Sequence, residues 1–277
     1  MDTNTFELDD YLKRVNYFGV VQPTEDVFVK LHRAQYSKIP FENFDILLGR
    51  SISLEPATLF HKLVNKVRGG YCFELNGLFL MVLKAFGFNA RALLARVHKS
   101  GTPSGREHQI SLVSIQGRQW ITDVGFGYPN LRAPIPLELD HPTTQDELTF
   151  RLSDAGHFGT MLQILKDYQW QDLFSFDLGH VCPADIACGN HFASTHPSSF
   201  FTFTRVAALP TDSGASTLFN NTLKRLSTGK VQVHNLPEGQ LYIDALKDHF
   251  GVELDVGYDE LPPIQELDQK EKSCFGL

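Results

Sequence analysis

Apolar positions along the chain change their spacing twice between the first residue and the last of 277. Up to about residue 86 they recur three and four residues apart, which predicts helices near 8–15, 25–35 and 56–67. A further helix is predicted to start at Cys72 and read on through Leu75, Leu78, Phe79, Val82 and Phe86, with Gly87 as its C-terminal stop. From 87 to about 195 the pattern is strand-like: residues 91–98, 108–115, 119–124 and 159–168 carry β-branched and apolar runs. Proline and charge between positions 129 and 147 predict a long loop. Beyond that, strands are expected at 200–209 and 218–227, then a short helix at 244–250 closed by Gly251, then a polar, loose tail from Pro262 that leaves Cys274 exposed. This order predicts an α+β chain in three parts, 1–86, 87–195 and 196–277.

The chemistry concentrates in one run, Arg68-Gly69-Gly70-Tyr71-Cys72-Phe73-Glu74-Leu75-Asn76. A cysteine here follows a glycine pair and opens an apolar helix, where backbone N–H groups are unpaired and the helix dipole favours negative charge. A thiol in such a place is expected to ionise more readily than usual, and the thiolate is the nucleophilic form. Taken alone, Cys72 is equally well read as a small buried hydrophobe. A partner histidine and an orienting acid decide between these readings.

Of eleven histidines, His108 is the one placed to serve. It begins the strand-like run His108-Gln109-Ile110-Ser111-Leu112-Val113, and a second run ends in Asp123-Val124-Gly125-Phe126-Gly127. Gln116-Gly117 between them predicts a two-residue hairpin turn. That loop sets Ile110 opposite Asp123 and leaves His108 and Asp123 diagonal on one face, whereas a loop one residue earlier sets them directly opposite. An aspartate at the end of an apolar strand needs a partner. Asp123 is therefore expected to orient His108, and His108 to activate Cys72, as a nucleophilic triad. The glycines at 125 and 127 clear room for a substrate, and Phe126 offers an aromatic wall.

These residues together resemble the arylamine N-acetyltransferases. The likeness also takes in Phe6-Glu7-Leu8-Asp9-Asp10-Tyr11, Ile39-Pro40-Phe41-Glu42-Asn43 and Ser194-Thr195-His196-Pro197-Ser198-Ser199-Phe200-Phe201, and it weakens after about residue 205. The resemblance implies a papain-like cysteine-triad fold: a helical domain, a β-barrel and an α/β lid. It also implies ping-pong transfer of acetyl from acetyl-CoA through Cys72 to an arylamine, arylhydrazine or related amine. By the same likeness Phe126, Val97 and Phe201 line the acceptor pocket. Arg68, Glu42 and Asn43 are expected to tie down the cysteine loop, the arginine bidentately. Coenzyme A contacts are expected at Gly125 and Gly127 and in the polar loop 99–106, at Thr102 and Ser104. The same three catalytic residues would also serve an amide synthase closing a polyketide-derived macrolactam, or a cysteine hydrolase.

Bulk properties narrow the partners. A net charge of −7 argues against nucleic acid. No apolar run approaches the roughly 18 residues that span a bilayer, and Met1-Asp2-Thr3-Asn4 lacks the features of a signal peptide. Four cysteines in no regular framework fit a reducing compartment, so a cytoplasmic location is expected. His180, Cys182, Cys188 and His191 lie close together, but their spacing is not that of a zinc finger or ribbon, and no metal is expected.

Overall fold

The computed structural model describes residues 7–98 and 102–265. Lys99, Ser100 and Gly101 of the polar loop, and Cys274 with most of the tail, lie outside the described residues. Helices Leu8–Arg14, Glu25–Lys38, Pro56–Phe60 and Cys72–Ala85 form where the periodicity predicts them. Thr24 caps the second by accepting from Val27 N (3.4 Å), and Gly87, with φ +85°, lets the chain leave the fourth. Phe28, Leu31, Phe73, Phe79 and Val82 pack between these helices.

Among the described residues thirteen strands follow the chain: β1 Phe41–Glu42, β2 Asn89–Val97, β3 His108–Ile115, β4 Arg118–Thr122, β5 Ile135–Pro136, β6 Thr143–Gln145, β7 Leu148–Asp154, β8 Thr160–Lys166, β9 Gln169–Phe176, β10 Val206–Thr211, β11 Gly214–Phe219, β12 Thr222–Ser227 and β13 Lys230–Asn235. Eight of them form an antiparallel sheet in the order β5-β4-β3-β2-β9-β8-β7-β6. Its edges are drawn together by side chains, Gln145 and Arg132 among them. Gln145 on β6 accepts from Arg132 N (2.7 Å) and Ala133 N (3.0 Å) and donates to Ala133 O (2.9 Å), just ahead of β5. The result is a nearly closed barrel. Leu93 and Ala95, Ile110 and Leu112, and Ile121 fill its interior, while Leu94, Val113, Ile115 and Trp120 face the helices. Burial of both faces explains why these strands read as nearly continuous apolar runs.

The remaining strands make a second sheet in the order β1-β10-β11-β12-β13, with helix Gln240–Phe250 against it. Two segments pack across the divisions expected from the sequence. β1 pairs with β10, Phe41 opposite Ala208, and carries Phe44 and Leu47 into the core of the last part. Pro183–Thr195 is a helix inside the strand-like region, and its Ala193 packs with the N-terminal helices. The expected loop at 129–147 holds the short β5 and β6. The expected strand at 200–209 is a 3₁₀ turn, Phe200–Thr202, followed by β10. The expected strand at 218–227 is a hairpin, because Asn220 takes a positive φ (53°) and turns the chain. No helix among the described residues is long and apolar enough to cross a membrane.

Replacing Gln145 by alanine strands the backbone groups of Arg132 and Ala133 in the interior. Urea unfolding is expected to show a loss of about 2–4 kcal/mol. A loss too small to resolve would mean that the barrel edges are held by something else.

Candidate active site

Tyr71 is extended, and the helix starts at Cys72. Glu74 reaches back so that its Oε2 accepts from Tyr71 N (3.1 Å), half of a capping box. The glycine pair is fixed by close approach. A Cβ on Gly69 would stand 2.4 Å from Pro40 O, and one on Gly70 would stand 2.8 Å from Glu74 Oε2. Arg68 supports the loop, but not as a fork. Its Nε (3.1 Å) and Nη2 (2.7 Å) converge on the single oxygen Glu42 Oε1, because Glu42 Oε2 is taken by Phe44 N (2.8 Å). Asn43 does not tie down the cysteine loop. It donates to Phe201 O (2.8 Å) and Thr204 O (2.7 Å) and accepts from Val206 N (2.8 Å), which anchors the entry to β10.

The hairpin forms with its two-residue loop at Gln116-Gly117, both at positive φ, and Ser111 pairs with Thr122. His108 and Asp123 therefore share the barrel-interior face, and His108 Nε2 donates to Asp123 Oδ2 at 2.6 Å. Asp123 is fully buried. Its Oδ1 accepts from Asn76 Nδ2 (2.8 Å) and from Gly125 N (2.8 Å). Burial alone would raise this carboxyl, but the facing His108, followed by the His108, Asn76 and Gly125 hydrogen bonds, holds it below the ordinary carboxylate value. Asn76 lies one turn beyond Cys72. It also donates to Gln109 O (2.7 Å) and accepts from Val124 N (3.0 Å), so it joins the cysteine helix to both strands. From behind, His32 Nε2 (3.1 Å) and Asn130 Nδ2 (2.9 Å) donate to Asp123 O, and Tyr36 Oη donates to Gly127 O (2.7 Å).

The Cys72 sulfur sits against the backbone on either side of His108. It lies 3.8 Å from Glu107 O and within hydrogen-bonding reach of the Gln109 N–H. Only 3% of the residue is exposed. Burial pushes the thiol up from its ordinary value, the Asp123 carboxylate adds to this, and the Gln109 and Phe73 N–H groups oppose it. The expectation of a thiol acidified by the helix start is thus corrected, because desolvation outweighs the helix terminus. A reactive thiolate here needs a nearby acceptor for its proton. His108 commits Nε2 to Asp123, which leaves Nδ1 for that exchange.

Around this centre Phe126 is half-buried and packs edge-on against His108 (5.0 Å) and Phe174 (5.2 Å). Val97 lies at the end of β2 on the interior face, opposite Phe174. Phe201 packs on Tyr71 (5.5 Å) and Phe41 (5.9 Å). Gly125 fits because a Cβ there would stand 2.7 Å from Asn76 Nδ2 and 3.0 Å from Cys72 Cα, so its missing side chain serves the protein's own packing. Gly127 takes φ +85°, a conformation that favours glycine. Thr102 is exposed. Ser104 is engaged internally: its Oγ accepts from Val97 N (2.9 Å) and lies 2.8 Å from Gly105 O.

Among the described residues no group of three or more His, Cys, Asp or Glu side chains is arranged to hold a metal ion. Cys182 caps helix Pro183–Thr195, its N–H donating to Asp185 Oδ2 (2.9 Å), and Cys188 is exposed on the same helix. That helix braces the site from another side. Tyr71 Oη donates to Asn190 Oδ1, and Gly189 lets Phe73 and Arg106 O approach.

A cysteine at a helix start, seated against the strand whose histidine is bonded to an aspartate, is the arrangement that a cysteine-nucleophile enzyme needs. A family model described as N-acetyltransferase matches residues 25–258. The arylamine N-acetyltransferase of Escherichia coli (strain K12) is 37% identical over 253 residues, covering 90% of this chain and 89% of its own. The solved arylamine N-acetyltransferase from Salmonella typhimurium superposes with a TM-score of 0.86 at 32% identity, over 99% of both chains. That of Mycobacterium marinum, in complex with CoA, gives 0.84 at 34% identity over 89% of this chain and 93% of its own. The chain belongs to the arylamine N-acetyltransferase family.

His32 is buried, and burial lowers its pKa to about 4. Below about pH 6.5 the unfolded chain binds a proton that the folded chain refuses, so its contribution is complete above that pH and is lost as pH falls towards 4. Urea unfolding across this window is expected to show a loss of about 3 kcal/mol in the wild type that His32→Gln lacks. Equal slopes for the two proteins would contradict the assignment.

Proposed function

We propose that Cys72, His108 and Asp123 carry acetyl from acetyl-CoA to the amine nitrogen of an arylamine or arylhydrazine, by a ping-pong route. His108 Nδ1 takes the Cys72 proton, and the Asp123 carboxylate stabilises the imidazolium that forms. The Cys72 thiolate attacks the acetyl carbonyl, the coenzyme A sulfur leaves, and it takes up the proton from His108. The acceptor amine then attacks the acetyl-cysteine, His108 removes its proton, and Cys72 departs as the amide forms. The Cys72 N–H at the helix start is suited to the developing oxyanion.

One observation carries this reading: the buried sulfur of Cys72 is seated against the strand that presents His108, and His108 is locked to Asp123 at 2.6 Å. The family relatives supply the acyl donor, since one of them is a complex with CoA. The half-buried ring of Phe126 beside His108 suits an aryl acceptor better than water, which separates this from the hydrolase reading. Val97 and Phe201 are proposed to extend that acceptor surface. Gly127 and the exposed Thr102 are proposed as coenzyme A contacts. The dependence on acetyl-CoA and the free thiols of Cys72, Cys182 and Cys188 favour the cytoplasm.

Release of free coenzyme A from acetyl-CoA, followed with and without an aryl hydrazine, tests the proposal. Sustained release is expected only with the hydrazine, and none beyond background with Cys72→Ala. Sustained release without an acceptor would indicate a hydrolase. No release under any condition would point to another acyl donor, as in an amide synthase.

A further inference from the structure

Lys62 takes no part in the transfer steps, yet its ammonium is held inside the protein. It lies in a π-helical turn, His61–Asn65, inserted between helix Pro56–Phe60 and the cysteine loop. Such a turn widens the helix and redirects its side chains. Lys62 Nζ stands 2.8 Å from Glu74 Oε1 and 2.7 Å from Asp45 Oδ2. Its backbone oxygen accepts from Arg68 N at 3.2 Å. One residue thus grips both ends of the segment 68–74 that carries Cys72, with its main chain at Arg68 and its side chain at Glu74. The other Glu74 oxygen holds Tyr71 N, next to the nucleophile. Burial would lower the Lys62 ammonium, but Glu74, Glu42 and Asp45 hold it above its ordinary value, so the lysine stays charged.

We infer that Lys62 is a positioning residue for Cys72: through Glu74 and Arg68 it sets where the cysteine helix begins, and so where the sulfur stands relative to His108. This rests on the reading of Cys72 as the nucleophile. Without the lysine, Glu74 is a buried carboxyl that has lost its cation, and it can recover only by binding a proton or by opening the loop to water. Either response loosens the turn, and a displacement of about 1 Å at a reacting atom costs on the order of 100-fold in rate.

The test compares wild type with Lys62→Met and Lys62→Arg, well below their unfolding temperatures. Two rates are read: alkylation of Cys72 by iodoacetamide across pH, and acetylation of Cys72 by acetyl-CoA. Lys62→Met is expected to slow both by at least about tenfold and to displace the pH profile of alkylation, and Lys62→Arg to restore most of the loss. Should Lys62→Met fail to fold, Lys62→Met with Glu74→Gln removes the stranded carboxylate and is expected to fold with the same loss. A folded variant that melts earlier but keeps the wild-type alkylation profile and acetylation rate would overturn the inference and leave Lys62 a merely structural residue. Normal alkylation of wild-type Cys72 without any acetylation would instead overturn the acetyl-transfer reading, and the alkylation profiles would still judge Lys62.

Discussion

A carboxylate buried in an apolar setting must be satisfied on every side, and the site is organised around that need at Asp123. Its partners are His108 from β3, Asn76 from the cysteine helix and the Gly125 N–H from the loop after β4. Each partner belongs to a different element, so satisfying one charge fixes the relative placement of all three. Losing any donor exposes the cost of an unpaired buried charge. The geometry that chemistry requires is therefore tied to stability. The outer ring of His32, Asn130 and Tyr36 extends the same logic to the backbone of the loop.

The electrostatics follow from this arrangement. A thiol as buried as Cys72, with a carboxylate nearby, resists ionisation on its own. In the proposed mechanism it becomes nucleophilic by passing its proton to His108, whose imidazolium the same carboxylate would stabilise. Asp123 thus opposes a lone thiolate and favours a thiolate–imidazolium pair, which couples activation to the integrity of the whole triad. Burial and the Asp123 carboxylate raise the thiol, and neither is visible in the local sequence around Cys72.

What the sequence disclosed was local or periodic. Gln116-Gly117 defined the hairpin register, and with it the shared face of His108 and Asp123. Gly87 and the apolar repeat defined the cysteine helix. What escaped was set by contacts between distant segments. Asn43 serves residues 201–206, more than 150 positions away. Ser104 closes its own loop on Val97, which no composition argument distinguishes from a ligand contact. Helix Pro183–Thr195 carried readable signals, Pro183 at its start and Asp185 returning to the cap, but its apolar residues do not gather on one face. Asn76 was legible in principle, since it stands one turn beyond Cys72 on the same face, and His32 and Tyr36, four residues apart on one helix, offered a similar cue.

The account turns on a covalent acetyl-cysteine, and mass spectrometry of the intact protein and its peptides after exposure to acetyl-CoA alone tests it most directly. The account predicts one added acetyl group, located on Cys72, that disappears when an arylamine is supplied. An unmodified Cys72, or an acetyl group elsewhere that the amine does not remove, would contradict it.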